Sequence, residues 1–270
     1  MRASLAAVGI GFWLAMAGGV SAGPSGGERI VGGDVADPAD WPFIAAITTR
    51  SGNQFCGGTV ISPDAVLTAA HCSVNGFGEP ANPNSMRVVT GRPDLTDEGA
   101  GQELLVDEVF VHRQFLRRGR HDVAVLRLAA TTTAPAATLP TQAEDQAATA
   151  PGQELRVAGW GSTRRSGFSD SDILRDVSTF AVQGSKCSRS FNFFRPDEEI
   201  CTQGERTGEH RTSSCYGDSG GPLIADTPGG ARLMGAVSYG GDRCGVKDPT
   251  VYARVADNLD FIITKADLPR

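Results

Sequence analysis

The chain has 270 residues, 40% of them hydrophobic and 21% charged, which is the balance of a globular protein with a large core and not of a disordered, collagenous or coiled-coil chain. Its formal charge of −6 argues against a general nucleic-acid or anionic-membrane binder, since both need concentrated Lys and Arg.

The first 22 residues read as a secretory signal peptide: Arg2 supplies the positive end, an apolar stretch runs from Leu5 to Val20, and Val20-Ser21-Ala22 offers small residues for cleavage before Gly23. The alternative, an uncleaved membrane anchor, is weighed against by the glycines within the stretch and by its small-residue end. The expected product is secreted, with no membrane association once the signal is removed.

Short runs rich in Val, Leu and Ile, bounded by Gly, Pro, Asn and Asp, then predict strands at Phe43–Thr48, Val66–Ala69, Met86–Val89, Leu104–Val111 and Val123–Leu128. Further strands are expected at Leu155–Ala158, Val177–Val182, Pro222–Ala225, Leu233–Ser238 and Val251–Val255. Between the two groups, Ala129–Gln153 is rich in Ala, Thr, Pro and Gln and suits a surface connection. Polar loops are expected at Ser73–Ser85, Ser162–Asp172 and Gln203–Thr212. At the C-terminus Leu259, Ile262, Ile263 and Ala266 share one helical face. Many short strands and one helix predict an all-β protein of antiparallel barrels or sandwiches.

Six cysteines, none in a CxxC pair, suit an oxidising compartment and leave 15 possible pairings. Scarce histidine makes a structural zinc site a poor explanation, and no metal or cofactor is expected. The acidic stretch with Asp94, Asp97, Glu98 and Glu103 has no cation-ligand spacing.

A serine hydroxyl needs a base, a group to orient that base, and donors for a developing oxyanion before it acts as a nucleophile. Ser219 lies in Gly217-Asp218-Ser219-Gly220-Gly221-Pro222, where glycines permit a sharp turn and close approach of a substrate carbonyl. His71 ends the apolar run Leu67-Thr68-Ala69-Ala70-His71-Cys72, and Asp122 opens Asp122-Val123-Ala124-Val125-Leu126. Taken singly, each has a bland reading: a turn before a strand, a structural histidine, a turn cap.

Together these motifs, in the order His, Asp, Ser, resemble the chymotrypsin-like serine proteases from Ile30 to the C-terminus. The resemblance implies two six-stranded antiparallel β-barrels with the active site between them and a C-terminal helix. The corresponding boundaries are about 30–140 and 141–256 for the barrels and about 257–268 for the helix. It implies a serine endopeptidase acting through His71 as base, Asp122 as its orienting acid and Ser219 as nucleophile, with the N–H groups of Gly217 and Ser219 as oxyanion hole. It pairs Cys56 with Cys72, Cys187 with Cys201 and Cys215 with Cys244.

The same resemblance makes 23–29 an activation propeptide: cleavage after Arg29 frees the amine of Ile30 to pair with Asp218. It places Ser213, Ser214, Ser238, Tyr239, Gly240 and Thr250 around the specificity pocket. Ser213 stands where trypsin-like members carry an acid and Thr250 narrows the base, which implies apolar preference on the acyl side of the scissile bond, chymotrypsin- or elastase-like. Asp242 or Asp248 is the alternative anchor, for a basic side chain. Tyr239 in place of the usual tryptophan and an extra residue near Asp242-Arg243 alter the rim. A pocket that rejects arginine implies a separate trypsin-like activator; the remaining expected partners are protein or peptide substrates, and the chain is expected to be a monomer. The rival readings are a non-catalytic binding protein on the same fold, and an esterase of another fold, whose chain order would be Ser, acid, His.

Overall fold

The computed structural model describes residues 31–167 and 171–269. The expected signal peptide and propeptide, with Arg29 and Ile30, lie outside the described residues.

Six strands close the first barrel, in the order Ile44–Thr49, Gln54–Ser62, Ala65–Thr68, Ala124–Leu128, Gln102–Val111 and Met86–Thr90, the last pairing back to the first. The second closes as Glu154–Gly159, Arg175–Ala181, Glu199–Gly204, Thr250–Arg254, Gly230–Tyr239 and Pro222–Thr227, again returning to its first strand. All pairs are antiparallel, and closure leaves no long edge for another chain to extend. A short strand, Asp34–Val35, pairs with Arg175–Ala181 and so lays the N-terminal segment on the second barrel.

Each strand expected from the sequence forms, within a few residues of the expected ends. Two further strands complete the barrels. Gln54–Ser62 carries Gly57 and Gly58, and both sites need glycine. A β-carbon at Gly57 would lie 2.9 Å from the Gly221 α-carbon, and one at Gly58 would lie 2.7 Å from Val66. Glu199–Gly204 is partly polar, yet Thr202 is fully buried and accepts a 2.8 Å hydrogen bond from Thr179. The expected loop Gln203–Thr212 is therefore shorter than its polarity implies: Gln203 is buried in a strand, and a two-stranded hairpin follows.

Helices also appear where no periodic apolar face announces them. Arg113–Arg118 is capped by His112 and ends on Gly119 in the left-handed region. Gln142–Ala148, within the inter-barrel connection, carries a complete capping box between Thr141 and Glu144. Gly184–Ser190 is held by Cys187 through the Cys187–Cys201 disulfide. At the C-terminus a 3₁₀ turn, Ala256–Asn258, leads into the helix Leu259–Ala266, whose Ile262 and Ala266 are buried against the first barrel's core. Ile262 there shares a cluster with Trp41, Val66, Leu126 and Trp160.

Buried polar links tie the connection to the barrels. Asp145 is 3% exposed and accepts from Arg254 at 2.6 Å, and Arg254 also donates to the carbonyls of Pro196 and Glu199. Burial raises the Asp145 carboxyl above its ordinary value, against the pull of the Arg254 charge. Removing one member of such a pair strands the other's charge. Asp145→Ala is expected to cost about 3 kcal/mol in urea unfolding, with Arg254's two carbonyl partners holding the loss at that end of the range.

Candidate active site

The strand Ala65–Thr68 runs into the 3₁₀ turn Ala70–Ser73, which presents His71 at the rim of the inter-barrel cleft. The Cys56–Cys72 disulfide anchors that turn to the neighbouring strand. Asp122 lies just before the strand Ala124–Leu128. Its carboxylate meets three donors: the His71 backbone N–H at 2.9 Å on Oδ1, the His71 Nδ1 at 2.8 Å on Oδ2, and the Ser238 hydroxyl at 2.6 Å on Oδ2. Bound at Nδ1, the imidazole keeps Nε2 for the cleft. Burial alone lowers the His71 pKa, but the bond and charge of Asp122 outweigh it and hold the imidazole above 6.5.

Ser219 reaches the same cleft from the second barrel. Its carbonyl accepts the Gly57 N–H at 2.7 Å, locking the serine loop to the first barrel. Gly217 and Gly220 have φ of 91° and 79°, where a β-carbon is strained, and a β-carbon on Gly220 would meet the Thr68 hydroxyl at 2.2 Å. Among the described residues the amides of Gly217 and Ser219 have no protein acceptor, whereas that of Asp218 between them donates to the Cys215 carbonyl at 3.0 Å. The Ser219 hydroxyl has no hydrogen bond to His71 among the described residues; such contacts often tighten only when substrate binds.

Asp218 is fully buried, with Oδ1 accepting from the Gly161 N–H at 2.9 Å and Oδ2 from the Cys215 N–H at 2.8 Å. Gly159 and Gly161 line its chamber so tightly that β-carbons there would lie 2.1 and 2.5 Å from Asp218 atoms. Val31 is also fully buried; its carbonyl accepts the Ser213 N–H at 3.1 Å, and its side chain packs with Cys215 and Cys244, themselves disulfide-bonded.

A cleft of about 630 Å³ contains His71, Gly217 and Ser219 together with Ser213, Ser214, Ser238, Tyr239, Gly240 and Thr250. The expected pocket residues thus line one cleft with His71, Gly217 and Ser219, and so does Asp248, whereas Asp242 is not among the lining residues. Ser213 donates to the Ser214 carbonyl at 2.7 Å and lies 3.1 Å from the Thr250 hydroxyl. Asp248 lines the cleft from the side of Gly241, and a β-carbon on Gly241 would meet its carboxylate at 2.4 Å. Among the described residues, the one cluster of potential metal ligands is Cys56, His71 and Cys72, whose two sulfurs are consumed in the disulfide.

Two residues carry no local signal in the sequence. Gln54 donates from Nε2 to the Cys56 carbonyl at 2.9 Å and to the Gly217 carbonyl at 2.8 Å, bracing the serine loop from the first barrel. Glu199 accepts the Tyr239 hydroxyl at 3.0 Å, and burial pushes its carboxyl up. Tyr239 also packs against Phe191 and Phe193, with ring centroids 5.2 and 5.1 Å away. Only a polar residue at a strand's start marks either position in the sequence.

Comparison with known proteins identifies the family. The family profile described as Trypsin matches residues 30–262. A protein named Trypsin from Saccharopolyspora erythraea is 32% identical over 237 residues, covering 87% of this chain and 96% of its own.

The Asp218 chamber yields a direct test. Gly161→Ala forces a methyl group into the carboxylate, and overpacking of this kind costs about 1–3 kcal/mol. The variant is expected to melt at lower temperature in calorimetry, with near-UV circular dichroism changed around the serine loop.

Proposed function

The chain belongs to the trypsin family of serine endopeptidases, and from that premise we propose that His71, Asp122 and Ser219 are its catalytic residues. The observation that carries this reading is the Asp122 carboxylate, which fixes Nδ1 of His71 and leaves Nε2 to a cleft shared with Ser219. In the first step the Ser219 oxygen bonds to the substrate carbonyl carbon while its proton passes to His71 Nε2. The new oxyanion accepts from the amides of Gly217 and Ser219, whose lack of an acceptor among the described residues supports this role. The C–N bond then breaks, the amine takes the proton from His71, and the acyl group stays on Ser219. Water, deprotonated by the same imidazole, releases the acyl group and restores the hydroxyl. Asp122 stabilises the imidazolium in both halves without itself being protonated.

The protein is made as a precursor, exported by residues 1–22 and activated by cleavage after Arg29. The freed Ile30 amine pairs with Asp218. Support comes from the next residue: Val31 is wholly buried beside Cys215, within the same group of loops as the sealed Asp218 carboxylate. Buried pairs of this kind bias a segment between two arrangements. Three disulfides use all six cysteines, consistent with a secreted product.

Substrates are proteins or peptides with an apolar residue on the acyl side of the scissile bond. Thr250 donates to the Ser213 hydroxyl, whose own proton goes to the Ser214 carbonyl, and the pair offers a buried guanidinium no charge. A second reading has one observation behind it: Asp248 lines the cleft and supplies a carboxylate for a basic side chain. On the apolar reading, activation after Arg29 falls to a separate trypsin-like protease.

After cleavage at Arg29, Ser219 is expected to be labelled rapidly by a fluorophosphonate. Label should be absent in Ser219→Ala, and in the precursor at least about 10²-fold slower, the loss typical of a missing oxyanion donor. Labelling of Ser219→Ala, or equal rates for both forms of the wild type, contradicts the assignment.

Peptide amides differing only at the acyl-side residue should rank Phe, Leu or Val above Arg, and Asp248→Asn should leave that order unchanged. Since His71 acts as base only when neutral, kcat/KM should fall as pH drops through a value above 6.5.

A further inference from the structure

Asp122 is preceded by a residue whose backbone is out of the ordinary. His121 has φ of 57°, and among the described non-glycine residues only Asp267 shares that left-handed region. A β-carbon there is strained, and the position persists only where surrounding contacts hold it. The His121 side chain is 11% exposed; Nδ1 lies 3.1 Å from the Asn258 Oδ1 and 3.2 Å from the Asp257 Oδ2, so it is the protonated, donating nitrogen. Nε2 is buried without a hydrogen bond, 3.7 Å from the Glu198 carboxylate. Glu198 is itself clasped by Arg120, whose Nε donates to it at 3.0 Å. On the remaining face the His112 ring lies 4.6 Å away, and burial pushes the His112 imidazole below its ordinary value.

The charged and titratable groups facing His121 are thus Asp257, Glu198 with Arg120, and His112. They come from the turn before the C-terminal helix, the entry to the second barrel's strand Glu199–Gly204, and the first barrel. The backbone is pinned too: the Val123 N–H donates to the His121 carbonyl at 2.7 Å, and the His112 N–H donates to the Val123 carbonyl at 3.1 Å. An ordinary turn at this point needs only glycine or asparagine. Here an imidazole joins three separate segments one residue before a carboxylate whose three bonds lie between 2.6 and 2.9 Å.

We propose that His121 is a positioning residue for the Asp122 carboxylate, holding the left-handed turn that aims it at His71 by anchoring its own imidazole to Asp257 and Asn258. The proposal rests on the reading of Asp122 as the acid that orients His71. It has a consequence that a purely structural role lacks. The bond and charge of Asp122 hold the His71 pKa up against burial, so a carboxylate that drifts lets that pKa fall.

The test uses the protein cleaved after Arg29 and an amide substrate with an apolar acyl-side residue. His121→Gly keeps the turn accessible and removes the anchor; His121→Asn keeps the turn and a side-chain donor. His121→Gly is expected to lose roughly 10- to 100-fold in kcat, the scale of a small misplacement of a catalytic group. Its KM should be unchanged and its acid limb of kcat/KM displaced to lower pH. His121→Asn should recover most of the loss. Should His121→Gly fail to fold, Asp257→Asn, at a half-exposed position, decides by the same two readouts: a fall in kcat with the same displacement supports the anchor. Wild-type kcat and an unmoved acid limb, in His121→Gly or in a folded Asp257→Asn, overturn the proposal. Asp122→Ala is run alongside. If it retains wild-type turnover, the reading of Asp122 fails and the proposal with it; if it is inactive while His121→Gly behaves as wild type, only the proposal fails.

Discussion

The Asp122 carboxylate is the interaction on which the site depends. It stands at the entrance of a first-barrel strand, holds His71 from the first barrel by two bonds, and receives the Ser238 hydroxyl from the second. One carboxylate thereby fixes the imidazole and fastens the barrels together at the cleft. A charge held this closely is favourable because its donors are preorganised and mostly shielded from water, with the Asp122 side chain only 12% exposed. The elevated His71 pKa reports the same bond from the other side.

Around that bond, glycines let two backbones meet. Gly57 and Gly221 face each other with no room for a side chain, and the Gly57 N–H takes the Ser219 carbonyl. Gly159 and Gly161 shape the chamber of Asp218, and Gly217 and Gly220 turn the serine loop through left-handed conformations. Gln54 braces the same loop from across the interface. The geometry of the cleft is therefore a property of the contact between barrels, and neither barrel holds it alone.

Much of this was readable in the sequence, for reasons that differ from element to element. Stretches such as Ala124–Leu126 and Leu233–Val237 are apolar runs because both faces are buried, so composition marks them plainly. Gln54–Ser62 and Glu199–Gly204 escaped that reading. The first carries glycines that serve the interface, and the second buries Thr202, which bonds to Thr179 of the neighbouring strand. The short helix Gln142–Ala148 is specified by its cap and not by an apolar face, which hides it from periodicity. At the site, His71, Asp122 and Ser219 stand in extended local motifs. Gln54, His121 and Glu199 act through partners far along the chain, at Gly217, Asn258 and Tyr239, and nothing nearby in sequence announces them. Ser238, expected as a pocket residue, lines the cleft and also bonds Asp122, a second task that only three-dimensional proximity reveals.

The central claim is that the negative charge of Asp122, and not merely its shape, makes His71 a base. Asp122→Asn keeps volume and planarity while replacing one acceptor oxygen by a donor, so the imidazole loses its charge partner and its tautomer is no longer enforced. Measured on protein cleaved after Arg29, with thermal unfolding confirming a native fold, the account predicts a kcat lower by roughly 10³- to 10⁴-fold near neutral pH. A folded Asp122→Asn enzyme turning over at the wild-type rate would contradict it.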